Sequence, residues 1–173
     1  MSETFSIRLA RPNEVARLGE IEARASDLFE GTPVFADLNG EIYDSHELAE
    51  LIAMGQAWVA CLEDDVPVGF VILLHIDDVI HVEELDVLPK FGRRGIGTAL
   101  LEHACRWGNK NGFIAATLST FRDIPWNAPF YAKHGFQTLG PSEYTPWMSK
   151  MREIEKQKGL PVDTRVIMRR ALS

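Results

Sequence analysis

Thiols are scarce: Cys61 and Cys105 are the two cysteines among 173 residues. Two are too few for a disulfide framework, and neither stands at a metal-ligand spacing, so both read as buried structural thiols. Basic residues are outnumbered, with 18 Lys+Arg against 25 Asp+Glu and a net charge of −7. A dedicated nucleic-acid binder needs a basic field to neutralise phosphates, so this balance argues against one. Cationic partners stay open, because an acidic surface attracts amines. Long apolar runs are missing as well. Val66 to Ile76 is the longest and carries Pro67 and Gly69; a membrane helix needs ~20 apolar residues. The N-terminal stretch MSETFSIRLA has neither the charged start nor the apolar core of a secretory signal. Internal repeats, linkers and low-complexity segments are absent. With 46% hydrophobic and 25% charged residues, the composition is that of a globular chain rather than a disordered one. The expectation is a soluble, cytoplasmic protein folding as one domain over residues 1–173, without nucleic-acid or membrane partners.

Periodicity places the elements. Phe5, Ile7 and Leu9 alternate with Ser6, Arg8 and Ala10, a strand period. Pro12 opens a helix whose buried stripe is Val15, Leu18, Ile21 and Ala25. Gly31, Pro33, Asn39 and Gly40 mark a loop. Asp44 and Glu47 resemble a capping box ahead of a helix carrying Leu48, Leu51 and Ile52. Trp58 to Leu62 and Val68 to Ile76 flank the acidic turn Glu63-Asp64-Asp65 and read as a hairpin, with a third run from His81 to Val87. Gly95 to Trp107 has helical spacing, Ile114 to Phe121 reads as a strand, and a short helix from Asn127 to His134 ends at Gly135. A charged helix-like segment, 143–158, and a last strand, Arg165 to Leu172, complete the chain. This order predicts a mixed α/β (α+β) fold: helices on a largely antiparallel sheet.

The sharpest local signal runs from Leu85 to Leu100: a strand, a proline, the basic turn Gly92-Arg93-Arg94-Gly95-Ile96-Gly97, and an amphipathic helix. Glycines let a ligand approach the backbone, and the helix N-terminus presents N–H groups and a positive dipole end. The turn therefore reads as a phosphate or pyrophosphate site, or else as a tight strand-to-helix connection with no ligand. A Walker loop needs Gly-Lys-Ser/Thr, which is absent. A dinucleotide fingerprint needs a third glycine where Leu100 stands.

The turn resembles the acetyl-coenzyme A signature of the GNAT N-acetyltransferase superfamily, Gln/Arg-x-x-Gly-x-Gly/Ala, with Gly92 at the first position and arginines at the next two. Phe130-Tyr131-Ala132-Lys133-His134-Gly135-Phe136 resembles that family's second landmark, Phe-Tyr-x-x-x-Gly-Phe. The family's asparagine seven residues before the tyrosine is Ile124 here, and the nearest asparagine is Asn127. The resemblance spans Phe5 to Leu172. It implies a GNAT-like fold and transfer of an acetyl group from acetyl-coenzyme A to a primary amine, on a small molecule or on a peptide or protein N-terminus. It also implies that Leu85, Asp86, Val87, Arg93, Arg94, Gly95, Ile96, Gly97, Thr98 and Asn127 hold the cofactor. A catalytically degenerate acyl-coenzyme A binding or sensing module is the alternative; a structural interaction domain is a third reading.

Acyl transfer to an amine requires the neutral amine, whose pKa is roughly 10, a donor for the developing oxyanion, and an acid for the leaving thiolate. By resemblance, the donor is the backbone N–H of Leu85 and the acid is Tyr131; a core tyrosine beside Phe130 is the plainer reading. His81, Glu83 and Glu84 are candidate bases. Strand alternation puts His81, Glu83 and Leu85 on one face and Glu84 on the other, and His81 titrates near neutrality if unperturbed. Solvated charges at a strand start are the competing reading. Trp126, Trp147 and Phe29 could wall an acceptor pocket or belong to the core. Asp27, Glu30 and Asp37 could meet a cationic acceptor or simply be solvated. His75 and His103 read as structural or exposed, and Glu102 with Arg106 as a surface pair. Three roles stand open for segment 143–158: a cover over the acceptor pocket, a surface helix, or the contact of a homodimer.

Overall fold

The computed structural model describes residues 4–32 and 43–173; Asp37 and the loop positions Pro33, Asn39 and Gly40 lie outside them. β1 (Ser6–Leu9) leads through a 3₁₀ turn at Pro12–Glu14 into α1 (Val15–Ser26). Next come α2 (Ser45–Ala53), β2 (Ala57–Cys61), β3 (Pro67–Ile76) and β4 (Val79–Val87). α3 (Ile96–Lys110), β5 (Ala115–Phe121) and α4 (Ala128–Lys133) follow. β6 (Gln137–Thr138), α5 (Pro146–Gln157) and β7 (Arg165–Ala171) close the chain. One seven-stranded sheet runs in the order β1-β2-β3-β4-β5-β7-β6. All its pairings are antiparallel except β4 with β5. The fold is thus the mixed α/β architecture expected, and no helix among the described residues is long and apolar enough to cross a membrane.

Local chemistry sets the helix ends. Asp44 caps α2 by accepting from the His46 N–H at 2.7 Å, a simple N-cap rather than a reciprocal box. Thr145 caps α5 the same way, accepting from Met148 N–H at 3.3 Å, and Pro146 takes the first helical position. The charged segment therefore starts its helix three residues later than its composition suggested.

Two apolar layers sandwich the sheet. Trp58, Val71, Leu73, Ile80, Val82 and Leu118 pack against Ile96, Leu100, Leu101 and Ala104 of α3. On the other face Val59, Phe70 and Ile72 pack against Leu18 and Ile21 of α1 and Leu48, Leu51 and Ile52 of α2. Cys61 and Cys105 are buried free thiols, one in each layer. Glu102 pairs across the α3 layer with Arg170 at 2.7 Å instead of along its helix with Arg106. Burying the helix face brings a β7 guanidinium closer than a neighbour on the same surface.

Gly69 marks the closest approach in this sandwich. A Cβ there would lie 3.0 Å from the backbone oxygen of Asp86 and 3.3 Å from Leu100 Cδ1. Gly69→Ala is expected to push β3 off β4 and lower stability by about 1–3 kcal/mol, as overpacked cores do. Denaturant unfolding checks it, and an unchanged midpoint would show that the strands have slack.

Candidate functional site

β4 and β5 run together only for half their length. The parallel ladder joins Val79 to Ala115, Ile80 to Ala116, His81 to Thr117 and Val82 to Leu118, and stops. Both strands continue, to Val87 and Phe121. The break coincides with a bulge. Against β3, Val82 pairs with Leu73 and Glu84 with Ile72, so Glu83 is an extra residue on β4. A bulge bends the strand and steepens its twist, which turns the end of β4 away from β5. Since each strand directs half its backbone groups at each neighbour, the edge of β4 from Leu85 to Val87 faces the gap with polar groups unused by the β4–β5 ladder.

The bulge also corrects the face assignment made by alternation. Ile80, Val82, Leu85 and Val87 all pack in the α3 layer, so His81 and Leu85 are on opposite faces. Glu84 and Asp86 point with His81 toward the α1 side. A period of two holds only while the ladder is regular.

The glycine turn lies at the end of the gap. After the 3₁₀ turn Pro89–Phe91, Arg93 adopts a left-handed φ of 60° and Gly95 one of 83°. Gly95 is the N-cap of α3 and supplies no side chain, so the first N–H groups of Ile96, Gly97 and Thr98 are presented without a side-chain cap. Gly97 has an ordinary φ, and a Cβ there would meet Phe130 and Val87 at a comfortable 3.9 Å. Neither backbone nor packing among the described residues demands a glycine at 97. The Arg94 guanidinium lies 5.3 Å over the Phe91 ring, and Arg93 is exposed. The Thr98 hydroxyl lies 3.3 Å from His134 Nε2, tying α3 to α4.

Across the gap, Asn127 Oδ1 accepts from the Thr120 hydroxyl at 2.7 Å and the Phe121 N–H at 3.4 Å, which fixes the side chain at the end of β5. Tyr131 is half-buried between Phe130 and Phe136. Its hydroxyl makes no hydrogen bond among the described residues. Burial, then the charges of Glu84 and Asp86, push its pKa well above the ordinary phenol value, so it keeps its proton at physiological pH.

Carboxyl groups collect on the α1 side of β4. Glu84 and Asp86 stand two residues apart on β4, and burial raises the pKa of both. Asp86 Oδ2 is buried without a partner among the described residues. Glu22 of α1, 8% exposed, accepts twice from the Tyr43 N–H at 3.1 Å. Burial and the Glu84 charge lift its pKa to about 7. Burial raises the pKa of Glu83 as well. Glu22 and Tyr43 escaped the sequence reading, although a glutamate inside the stripe Leu18, Ile21 and Ala25 is a detectable anomaly.

His81 differs most from expectation. It is 2% exposed, with Nδ1 2.9 Å from the Thr117 hydroxyl and its ring 4.8 Å from Trp147 in an edge contact. Burial, with help from Arg165, lowers its pKa to about 4. It is neutral and sealed at physiological pH, and Glu83 lies 3.6 Å from its Nε2 with 35% of its side chain exposed. Of the aromatic candidates, Phe29 meets both Trp126 and Phe121 edge to face. His75 lies on Trp107 and His103 beside Trp58, while Asp27 and Glu30 are exposed. Among the described residues no group of three or more His, Cys, Asp or Glu could hold a metal ion.

The model of the acetyltransferase (GNAT) family matches residues 22–136. Streptothricin acetyltransferase A of Bacillus subtilis is 41% identical over 56 residues, 32% of each chain. A PaiA N-acetyltransferase from Thermoplasma acidophilum, solved with coenzyme A, superposes with a TM-score of 0.73 at 19% identity, covering 97% of this chain and 99% of that one. N-acetylglutamate synthase from Neisseria gonorrhoeae, solved with coenzyme A and N-acetyl-glutamate, gives 0.75 at 19% identity over 100% of this chain but 36% of its own.

The buried Glu22 makes a pH prediction. Its folded pKa of about 7 exceeds the ordinary 4.5, so the native state holds a proton that the unfolded chain releases. Its contribution to stability is present below pH 4.5 and is lost as pH rises to about 7. Glu22→Gln is expected to flatten the fall in stability between pH 4.5 and 7. Urea midpoints across that window check it; parallel curves for both proteins would place the proton elsewhere.

Proposed function

The chain belongs to the GNAT acetyltransferase family, and from that premise we propose that it is an N-acetyltransferase taking acetyl-coenzyme A and a primary amine, on a small molecule or a peptide N-terminus. One observation carries the reading: β4 parts from β5 beside a helix end that offers uncapped N–H groups. Coenzyme A complexes of similarly folded proteins and the acetyltransferase relative support it. The residues present fit the cofactor. The N–H groups of Ile96, Gly97 and Thr98, with Arg93 and Arg94, match a pyrophosphate. The unladdered edge from Leu85 to Val87 matches the amides of a pantetheine arm, with Asn127 opposite.

Acetyl-coenzyme A supplies an activated thioester when bound. The protein's task is then placement and proton handling. Leu85 N–H donates to the acetyl oxygen as charge develops on it. Tyr131, held protonated, donates toward the thiolate sulfur. The acidic set Glu22, Glu83, Glu84 and Asp86 draws an ammonium toward the gap. Glu83, the most exposed of these carboxylates near the bulge, takes its proton. His81 holds Glu83 and Thr117 in place as a neutral ring.

Two measurements test this. Acetyl-coenzyme A at ~100 times its Kd should stabilise the protein by about 2.7 kcal/mol, and Gly97→Asp should abolish the shift while the variant stays folded. A full shift in Gly97→Asp sinks the cofactor site. A shift without thiol release from any amine would leave a binding module rather than an enzyme.

Rates of thiol release address the catalytic roles. Tyr131→Phe is expected to lower kcat by about 10²-fold, the weak end for a general acid, with cofactor affinity retained. Glu83→Gln should lower kcat/KM and flatten the acidic limb of the pH profile, whereas His81→Gln should leave that limb in place. Wild-type kcat in Tyr131→Phe would make it a core tyrosine, and an unchanged limb in Glu83→Gln would move the base to another group.

A further inference from the structure

Strand β7 carries three arginines. Arg165 is committed to Glu155 and to the backbone oxygen of Ser119, and Arg170 to Glu102. Arg169 makes no ion pair or hydrogen bond among the described residues, although it is half-buried. Register explains where it faces. His81 pairs with Thr117, Thr117 with Arg169, and Arg169 with Gln137, so these four form one row across the sheet on the face of α5. That row lies in or beside a groove of about 780 Å³, whose walls include Arg169, Gln137, Thr117, Leu139, Thr145 and Trp147. The groove sits toward the start of β4 and β5, where their ladder is intact, and so lies apart from the gap beside the glycine turn.

We propose that this groove is a binding site for a small organic monocarboxylate with an apolar body, its carboxylate held by Arg169. A half-buried guanidinium is costly to desolvate unless an anion meets it. The fold supplies such an anion to each of the other two arginines of β7 and, among the described residues, none to this one. Gln137 and Thr145 add neutral polar groups, and Trp147 and Leu139 offer a flat apolar wall for the ligand's body. Asp77, Asp78 and Glu143 also line the groove. The Glu143 carboxylate is already held by the Gly140 N–H at 2.7 Å, while the two aspartates repel additional negative charge. They select against phosphates and polycarboxylates and for a single carboxylate. The site does not depend on the acetyl-transfer reading.

The probe is 3-phenylpropionate, with 3-phenylpropanamide as its uncharged isostere, followed by tryptophan fluorescence and calorimetry on the whole chain. Trp147 lines the groove, so saturable binding should change the emission, and Trp147→Phe should remove that signal. The amide should bind at least about tenfold more weakly than the carboxylate, the size of a lost charged hydrogen bond, and Arg169→Gln should weaken the carboxylate to the same degree. Saturating coenzyme A should leave the probe's affinity unchanged. Equal binding of acid and amide to the wild-type protein, no saturation, or full affinity in folded Arg169→Gln would overturn the proposal. Displacement of the probe by coenzyme A would overturn it as well, by placing the probe in the cofactor gap.

Discussion

The parting of β4 from β5 after Val82 and Leu118 is the constraint on which the site depends. A parallel pair held to its ends would spend the backbone groups of Leu85 to Val87 on a ladder. One extra residue, Glu83, bends β4 and releases that edge. The same strand then delivers the chain through Pro89 to the glycine turn and the N-terminus of α3. A line of backbone donors and a helix dipole thus come to adjoin each other because one strand feeds both. Packing holds the arrangement from behind: Leu85 and Val87 press into the α3 layer, and Gly69 lets β3 approach so closely that a Cβ there would lie 3.0 Å from the Asp86 backbone oxygen.

The bulge redistributes charge as well as backbone. By breaking alternation, it sets Glu84 and Asp86 on the α1 side with His81, and leaves Glu83 at the bend. Helix α1 brings Glu22 to the same place. Four acids in partly desolvated surroundings cannot all ionise cheaply, and the pKa of each is raised. This favours a cation nearby and gives the site groups able to accept a proton. Tyr131 feels the same field and keeps its own proton more firmly. One electrostatic environment thus raises the carboxyl pKa values on one side of the gap and the phenol pKa on the other.

The groove on the α5 face obeys a different logic. There the sheet is regular, and cross-strand register alone aligns His81, Thr117, Arg169 and Gln137. Two of the three β7 arginines serve the fold by closing charge pairs, while the third opens onto a cavity. The protein separates a backbone-lined cleft, suited to an extended ligand, from a side-chain-lined groove suited to a compact one.

The sequence by itself determined the element order, the helices packed on a largely antiparallel sheet and the glycine turn, because these are written in short-range periodicity and local backbone chemistry. Alternating Phe5, Ile7 and Leu9, the stripe Leu18, Ile21 and Ala25, and Gly95 ahead of Ile96 each act within a few residues. The blocks at Gly92 to Gly97 and Phe130 to Phe136 were legible as a pair through their resemblance to the family's two landmarks. Only the tertiary structure decided which candidates could meet. The bulge at Glu83 leaves no mark on composition, so it alone separated His81 from Leu85 and turned Glu84 and Asp86 toward α1. Burial under Trp147, a residue 66 positions further along the chain, took His81 from an ordinary titrating imidazole to a neutral one. The meeting of Glu22 and Tyr43 with β4, and of Arg169 with Gln137, likewise rests on contacts between distant segments. Desolvation and strand register are properties of the assembled sheet, and a linear pattern cannot carry them.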